Sequence, residues 1–317
     1  MIQPKYKAQV GLLLSILPHV AKEESLALTG GTAINLFARD MPRLSVDIDL
    51  AYVKLDDRTT ALQNISDALD RIEQRIKTSI EGISITRVPP GQGQDVKLNC
   101  QTQQAHIKIE VNTTMRGILF PVRMMQVTDS VQNDFKKFAA INVVSHAELF
   151  GGKICAALDR QHPRDLFDVY HLLKNEDFTH ELKLGLITSM LSHARPIHEL
   201  LSPHFLDQHS AFDNQFSGMT ATPFSYETFE EVRAQLVAEV SKSLTDDDRE
   251  FLLSYNGGEP LWNLIPIENL KQLPAVQWKL INIQNLKLTN AAKHGVLQKA
   301  LEEILLRKDM LPGSSPD

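Results

Sequence analysis

The sequence predicts an α+β N-terminal domain followed by a mainly helical domain. Up to about residue 112 the sequence contains segments in which apolar and polar residues alternate, as they do in strands. From Ser145 onward the apolar residues have helical spacing. The chain has 317 residues, which corresponds to two domains at about 100–200 residues each. We expect the N-terminal domain at 1–144, the helical domain at 145–310 and a flexible tail at 311–317.

Composition narrows the class of protein. Hydrophobic residues make up 43% and charged residues 23% of the chain, which is typical of a globular protein. No run of 18 apolar residues occurs, so we predict no transmembrane helix and no membrane partner. The polar N-terminus does not resemble a secretory signal, and two cysteines without a metal-binding spacing fit a reducing compartment. Together these features predict a cytoplasmic protein.

The net charge of −6 argues against a nucleic-acid binder when it is taken over the whole chain. The charge is unevenly distributed, however. Residues 201–270 contain 12 acidic and 3 basic side chains, whereas residues 271–308 contain 7 basic and 2 acidic ones. Any contact with a polyanion is therefore expected in the N-terminal half or in 271–308.

Local patterns predict the order of the elements. Apolar residues three and four apart indicate helices, alternation indicates strands, and glycine or proline marks the turns between them. The predicted elements are a helix at 10–20, a strand at 26–28, a helix at 33–38, a strand at 46–53, a helix at 56–80, three mostly antiparallel strands between 83 and 112 with a loop at 89–93, and helices at 145–160, 164–174 and near 180–193, 225–241, 245–255 and 290–308.

Asp47 and Asp49 form the first candidate site. They lie two apart on a predicted strand, so both carboxylates point to the same face. Two adjacent carboxylates repel unless a cation lies between them, and a hard divalent ion such as Mg²⁺ prefers oxygen ligands. The alternative is a pair of solvent-facing acids on an edge strand.

Gly30-Gly31-Thr32 precede this pair, between a strand and a helix. Open backbone N–H groups at the start of a helix bind anions, and the Thr32 hydroxyl can add a donor. The alternative is an ordinary turn in which Thr32 caps the helix. A phosphate-binding turn followed by a carboxylate pair is what a nucleoside triphosphate site requires.

Two further clusters carry charged residues. Lys108 and Glu110 share one face of a predicted strand, where Glu110 is either a third metal ligand or part of a surface ion pair. Glu148 and Lys153 lie on one predicted helix, and Arg164, Asp165 and Asp168 begin the next. Lys153, oriented by Asp165, would bind phosphate oxygens, whereas the alternative is that the acids stabilise the start of their helix.

In this order the residues resemble the AbiEii/AbiGii toxin family of nucleotidyltransferases. Each motif is loose alone, but five in sequence, within about residues 26–175, are specific. The matching motifs are Gly30-Gly-Thr, Arg43-x-Ser45-x-Asp47-x-Asp49-Leu50, Lys108-x-Glu110, Glu148-x-x-x-x-Lys153 and Arg164-Asp165-Leu-x-Asp168. The resemblance implies a polymerase β-like nucleotidyltransferase domain, which is a mixed sheet with helices, and a helical domain that completes the active site.

The resemblance also implies a role for each motif residue. Nucleotide binding would fall to Gly30, Gly31, Thr32, Arg43, Ser45, Lys153 and Arg164, metal binding to Asp47, Asp49 and Glu110, catalysis to the same three acids with Lys153 and Asp165, and support to Lys108, Glu148 and Asp168. The third acid is commonly Asp in the family, so Glu110 is longer by one methylene.

The function implied by the resemblance is transfer of a nucleotide from an NTP to an acceptor hydroxyl, with release of pyrophosphate. Mg²⁺ or Mn²⁺ would be the cofactor, and the 3′ end of tRNA would be the acceptor. The protein would be the toxin of a bacterial toxin–antitoxin, phage-defence pair and would have an antitoxin protein as partner. Two alternatives remain: an inactive nucleotide- or partner-binding module of the same fold, and a transferase that modifies a protein hydroxyl.

Overall fold

The computed structural model describes residues 4–88, 96–220 and 222–306. Within these ranges the chain forms one seven-stranded mixed sheet and thirteen α-helices. The predicted fold class, a mixed α+β part followed by a mainly helical part, is confirmed. The loop predicted at 89–93 and the tail predicted at 311–317 lie outside the described residues.

The strands all precede the long helical part. They are β1 (Leu26–Thr29), β2 (Asp47–Tyr52), β3 (Ser84–Val88), β4 (Val96–Gln101), β5 (His106–Arg116), β6 (Arg123–Gln126) and β7 (Ala140–Val143). The helices are α1 (Pro4–Val20), α2 (Gly30–Ala33), α3 (Arg58–Ser79), α4 (Asp129–Phe135), α5 (His146–Arg160), α6 (Pro163–Asn175), α7 (His180–Ser192), α8 (Ile197–Leu201), α9 (His209–Gln215), α10 (Tyr226–Ser243), α11 (Asp246–Asn256), α12 (Pro274–Thr289) and α13 (Ala291–Leu306).

The chain divides into two compact units. The first contains Met1–Ser145 together with Gly218–Pro223, and the second contains His146–Ser217 together with Phe224–Asp317. The returning segment joins the first unit through its backbone: the Leu44 N–H donates to the carbonyl of Met219 at 3.0 Å. Because compactness does not show that a segment folds independently, the predicted domain boundaries remain predictions.

The sheet has the strand order β3-β4-β5-β2-β1-β7-β6. The pairs β2–β5 and β1–β7 are parallel, and the other neighbours are antiparallel. The strand that carries the aspartate pair therefore lies inside the sheet, between β5 and β1. This position excludes the alternative of two acids on an edge strand.

One face of the sheet is covered by α1 and α3, which pack on it with their apolar sides. Leu98 of β4 and Ile109 of β5 point to this covered face and are fully buried. Successive strand residues point to opposite faces of the sheet. The residues between the buried apolar ones therefore lie on the opposite face, and they are mainly polar. We call this second side the polar face, and in β2, β4 and β5 it contains Asp47, Asp49, Lys97, Lys108 and Glu110.

Several elements were not predicted from the sequence. The unpredicted ones are β6, α4, β7, α8, α9 and α12. β7 has four residues and pairs in parallel with the distant β1, so no local pattern indicates it. α12 exposes Trp278, Ile281 and Leu288 and buries apolar residues only in its first half, so its helical pattern is weak. The first helix after β1 begins at Gly30 rather than at Ala33.

In the second unit, α5 and α7 approach closely at two glycines. A Cβ on Gly151 would meet the backbone nitrogen of Leu186 at 2.5 Å, and a Cβ on Gly185 would collide with the carbonyl of Ala147. In contrast, a Cβ on the neighbouring Gly152 would meet only the Ser189 hydroxyl, at 3.9 Å. Two adjacent glycines of one helix therefore face different surroundings.

This difference gives alanine substitutions of opposite sign. We expect Gly151→Ala to lower the free energy of unfolding by about 2–3 kcal/mol, because backbone atoms of α7 cannot move aside as a side chain can. Gly152→Ala should raise it by about 0.5–1 kcal/mol, because alanine favours the helix and has room for its methyl group. Urea denaturation of both variants measures the difference, and equal effects of the two changes would contradict the close approach.

Among the described residues, none of the helices combines the length and the apolar composition that are needed to cross a bilayer.

Candidate active site

The Gly30-Gly31 turn connects β1 directly to a helix. Gly30 has φ +71, a left-handed conformation that favours glycine. α2 begins at this residue and continues as one π-helical turn over Ile34–Ala38. π-turns inside helices are rare overall, but many of those that occur lie at functional sites.

Asp49 lies against this turn. A Cβ on Gly30 would overlap Oδ2 of Asp49 and would lie 3.0 Å from its Cβ. Thr29, which precedes the glycine, pairs with Asp49 across β1 and β2. The strand register places a carboxylate of β2 next to the backbone at the start of α2, and the absence of a side chain on Gly30 leaves room for it.

Arg43 and Ser45 approach the second glycine. A Cβ on Gly31 would lie 2.8 Å from the Ser45 hydroxyl and 3.0 Å from Nη2 of Arg43. The Arg43 side chain also donates to the carbonyl of Leu44 at 2.9 Å. The structure thus brings the first two predicted motifs together around a turn that only glycine can form.

Thr32 is fully buried beneath this turn. Its hydroxyl donates to the backbone carbonyl of Asp47 at 2.5 Å and lies 3.1 Å from the Ser45 hydroxyl. These contacts tie the glycine turn to the start of β2. In the structure Thr32 therefore positions Asp47 and Ser45.

Asn35 belongs to the same group and was missed in the sequence. It is fully buried in the π-turn, where Nδ2 donates to the carbonyl of Gly31 at 2.9 Å and Oδ1 accepts from the backbone N–H of Arg43 at 3.3 Å. A buried polar residue on an otherwise apolar short helix was the available indication. Asn35 links the turn to the Arg43 segment.

We expect Asn35→Ala to weaken nucleotide binding about tenfold, because the turn and Arg43 lose the side chain that joins them. Isothermal titration with an NTP measures the change. Asn64→Ala is the matched control, because Asn64 bonds to Tyr52 and Asp56 at the other end of β2. The control should lower stability similarly and leave nucleotide affinity unchanged, so equal loss of affinity in both variants would refute the role of Asn35.

The aspartate pair is half-buried on the polar face. Asp47 pairs with Lys108 and Asp49 with Glu110 in the parallel register of β2 and β5. Burial opposes the charge of Lys108, but its hydrogen bond to Glu110 and the charges of Asp47, Glu110 and Asp49 raise its pKa. Lys108 is therefore protonated at neutral pH and offsets part of the negative charge of the pair.

Glu110 has two lysine partners. Nζ of Lys97 lies 2.7 Å from its Oε1, and Nζ of Lys108 lies 2.6 Å from its Oε2. Among the described residues no three His, Cys, Asp or Glu side chains converge as ligands of one ion. The predicted third carboxylate is thus next to Asp49 in register, but its two oxygens face lysines.

The second unit contains a buried ion cluster at the start of α6. Nζ of Lys153 lies 2.7 Å from Oδ1 of Asp165 and 3.1 Å from Oδ2 of Asp168, and Nε of Arg160 lies 2.6 Å from Oδ2 of Asp165. Lys153 is 8% exposed, and the two acids are 1% and 2% exposed. Burial alone would raise the pKa of Asp165, but the charges of Lys153 and Arg160 and their hydrogen bonds lower it well below its usual range.

The other predicted residues of this unit flank the cluster. Glu148 is half-buried in the first turn of α5. Arg164 is half-buried in the first turn of α6, and its backbone N–H donates to Nδ1 of His162 at 3.1 Å. His162 therefore caps this helix. The cap and the cluster fix the start of α6, from which Asp165 and Asp168 point to the same lysine.

A family model matches the greater part of this chain. A model described as nucleotidyl transferase AbiEii toxin, type IV toxin–antitoxin system, matches residues 12–282. The chain belongs to the AbiEii family. It is therefore a nucleotidyltransferase, and it is a toxin of the type IV toxin–antitoxin class, which implies an antitoxin as its partner.

One solved structure has a fold similar to that of this chain. MenT4, a nucleotidyltransferase toxin from Mycobacterium tuberculosis H37Rv, superposes with a TM-score of 0.59 and 14% sequence identity over 88% of this chain and 93% of its own. At this identity the likeness shows the fold alone. A search of curated proteins gave no match.

Proposed function

We propose that this AbiEii-family protein transfers a nucleotidyl group from an NTP to the 3′-hydroxyl of tRNA. The acceptor oxygen forms a bond to the α-phosphorus, the bond between the α- and β-phosphates breaks, pyrophosphate leaves, and the hydroxyl proton passes to a base. The observation that carries the proposal is the contact of Asp49 with Gly30, because it combines a carboxylate and a phosphate-binding turn in one small area.

The donor set of this area fits a hard divalent cation. Asp47 and Asp49 offer carboxylate oxygens on one strand face, and both are half-buried. Mg²⁺ is commonly bound by one or two carboxylates together with substrate phosphates and water, so a third protein ligand is not required. When bound there, Mg²⁺ or Mn²⁺ would neutralise phosphate charge and make the acceptor hydroxyl more acidic.

The residues around the turn are proposed to bind the triphosphate. Backbone N–H groups of Gly30 and Gly31 and the guanidinium of Arg43 offer donors to phosphate oxygens, and Ser45 offers a hydroxyl. Thr32 and Asn35 fix these donors in place through the contacts described above. A turn that is already bonded in this way loses little entropy when the nucleotide binds.

Lys153, Asp165 and Arg164 are proposed as further residues of nucleotide binding and catalysis. Lys153 would bind a phosphate oxygen through a proton that is not shared with its two aspartates, since an ammonium group has three donors. Asp165 would orient this lysine, as the 2.7 Å ion pair supports. Glu148 and Asp168 would support the same group.

A transfer assay tests the proposal. The purified protein is incubated with tRNA, Mg²⁺ and each of the four α-labelled NTPs, and we expect label at the 3′ end of tRNA with release of pyrophosphate. Sequencing of RNA 3′ ends from cells that express the protein then identifies the acceptor and the added base. If the label appears in protein instead, the acceptor is a protein hydroxyl and not RNA. Absence of transfer to tRNA, total cellular RNA and protein would instead support an inactive module.

A further inference from the structure

We propose that Lys97 and Lys108 form a binding site for a substrate phosphate, which is occupied in the resting protein by the carboxylate of Glu110. The inference rests on the proposed function in one respect only, namely that the phosphate belongs to the substrate of nucleotidyl transfer. Lys97 was not among the residues predicted from the sequence. Its side chain lies on the polar face of β4.

The strand register places this group beside the aspartate pair. Lys97 pairs with Glu110 between β4 and β5, and Glu110 pairs with Asp49 between β5 and β2. Neighbouring strands are about 4.8 Å apart, so the lysines lie one and two strands away from Asp49. A phosphate bound to them would therefore be adjacent to the proposed reaction centre.

The geometry of the two lysines suits a phosphate. Each ammonium contacts a different oxygen of the same carboxylate, at 2.7 Å and 2.6 Å. A phosphate group presents oxygens at a similar spacing and carries at least as much negative charge, so it can replace a carboxylate between the same two donors. The side chains of Lys97 and Lys108 are 31% and 33% exposed, which leaves them accessible to a substrate.

Glu110 has the features of an internal competitor. It is tethered to the same sheet, is 16% exposed, and forms ion pairs with both Lys97 and Lys108. A phosphate that arrives as part of a substrate anchored at the glycine turn is also tethered, which lets it compete with the carboxylate. Displacement frees Glu110 on the same face as Asp49, where the sequence predicted a third carboxylate.

The test measures binding without turnover, in metal-free buffer with EDTA. The two probes are an α,β-methylene NTP, which cannot be transferred, and a short single-stranded RNA. We expect Lys97→Met to weaken binding of the responding probe about tenfold and Glu110→Gln to tighten it severalfold, because the competing charge is removed. A residue with a merely structural role would not give changes of opposite sign.

The double variant separates a local effect from a general charge effect. If Glu110 competes for Lys97, the gain from Glu110→Gln falls by at least half in the Lys97→Met background. The matched control is the exposed Lys77–Glu73 pair on α3, with Nζ and Oε1 2.6 Å apart, changed to Met and Gln in the same way. These control variants should leave both affinities unchanged.

The outcomes are distinct. A response of the NTP analogue assigns the site to the triphosphate, and a response of the RNA assigns it to the acceptor backbone. Unchanged affinity for both probes, weaker binding in Glu110→Gln, or a gain that is equal with and without Lys97 overturns the proposal. Because no transfer is measured, failure of the proposed function in the labelling assay would be seen separately.

Discussion

Replacing Asp49 by asparagine is expected to lower nucleotidyl transfer at least about 10³-fold and to abolish growth arrest. The change keeps the shape of the side chain but removes one of the two carboxylates proposed to bind the divalent cation. The loss should appear in kcat, because the cation acts on charge that develops during transfer. Asp47→Asn is expected to behave in the same way, since both carboxylates share one face of β2.

The fold of the Asp49→Asn protein should be intact. Removing one of two like charges relieves repulsion, so the melting temperature should not fall. Asp67→Asn serves as the matched control, because Asp67 lies on α3, on the covered side of the sheet, and accepts a hydrogen bond from Gln63. This control should retain full transfer. Persistent growth arrest in cells that express Asp49→Asn would refute the metal-binding assignment.

Replacing Lys153 by alanine is expected to lower the free energy of unfolding by about 3–5 kcal/mol, in addition to abolishing transfer. This cost follows from the buried cluster, because Lys153 forms ion pairs with both Asp165 and Asp168, and Arg160 also pairs with Asp165. Without the lysine, two buried carboxylates lose an ion-pair partner that offsets their desolvation.

Chemical denaturation of matched variants measures this effect. Arg160→Ala should cost at most about 1 kcal/mol, since the Arg160 side chain is 60% exposed and its ion pair is screened by solvent. Adding Asp168→Asn to the Lys153→Met variant should recover part of the lost stability, because one of the two buried negative charges is then removed. Equal stability of Lys153→Ala and wild type would contradict the buried cluster.

The same cluster predicts how stability varies with pH. The folded pKa of Asp165 lies below its unfolded value of about 3.9. Its contribution to stability is therefore complete above the unfolded pKa and decreases as the pH falls through the acid range. In Lys153→Ala the folded pKa rises toward the unfolded value, so the loss of stability between pH 5 and pH 3 should be less steep than in wild type.

The residues of the candidate site could be selected from the sequence because their spacing is local. Asp47 and Asp49 needed only the two-residue period of a strand, and Gly30-Gly31 needed only the strand before it and the helix after it. Their mutual contact also follows from short connections, since β1 and β2 are neighbours in the chain and in the sheet. The roles of the individual side chains remain predictions, to be tested by the variants above.

Contacts between distant segments could not be predicted from local sequence patterns. The pairing of β7 with β1 and the approach of Lys97 to Glu110 depend on which strands become neighbours, which no local pattern determines. Asn35 was missed because its contacts are with two backbone groups, of Gly31 and Arg43, and no spacing of charges indicates them. The burial of Lys153 was missed because a helix pattern does not show which side of a helix will be covered.

The return of residues 218–223 to the first unit has a consequence for the timing of synthesis. The Leu44 N–H and Arg43 receive their partners Met219 and Thr220 only after about 175 further residues have been translated. At roughly 5–20 residues per second this delay is about 10–35 seconds. During that time the nascent chain already carries both aspartates and the glycine turn, but the Arg43 segment lacks its backbone partner. A chain that stops before residue 218 would lack this partner permanently, so truncated products should be less toxic than the motif content of their first 175 residues suggests.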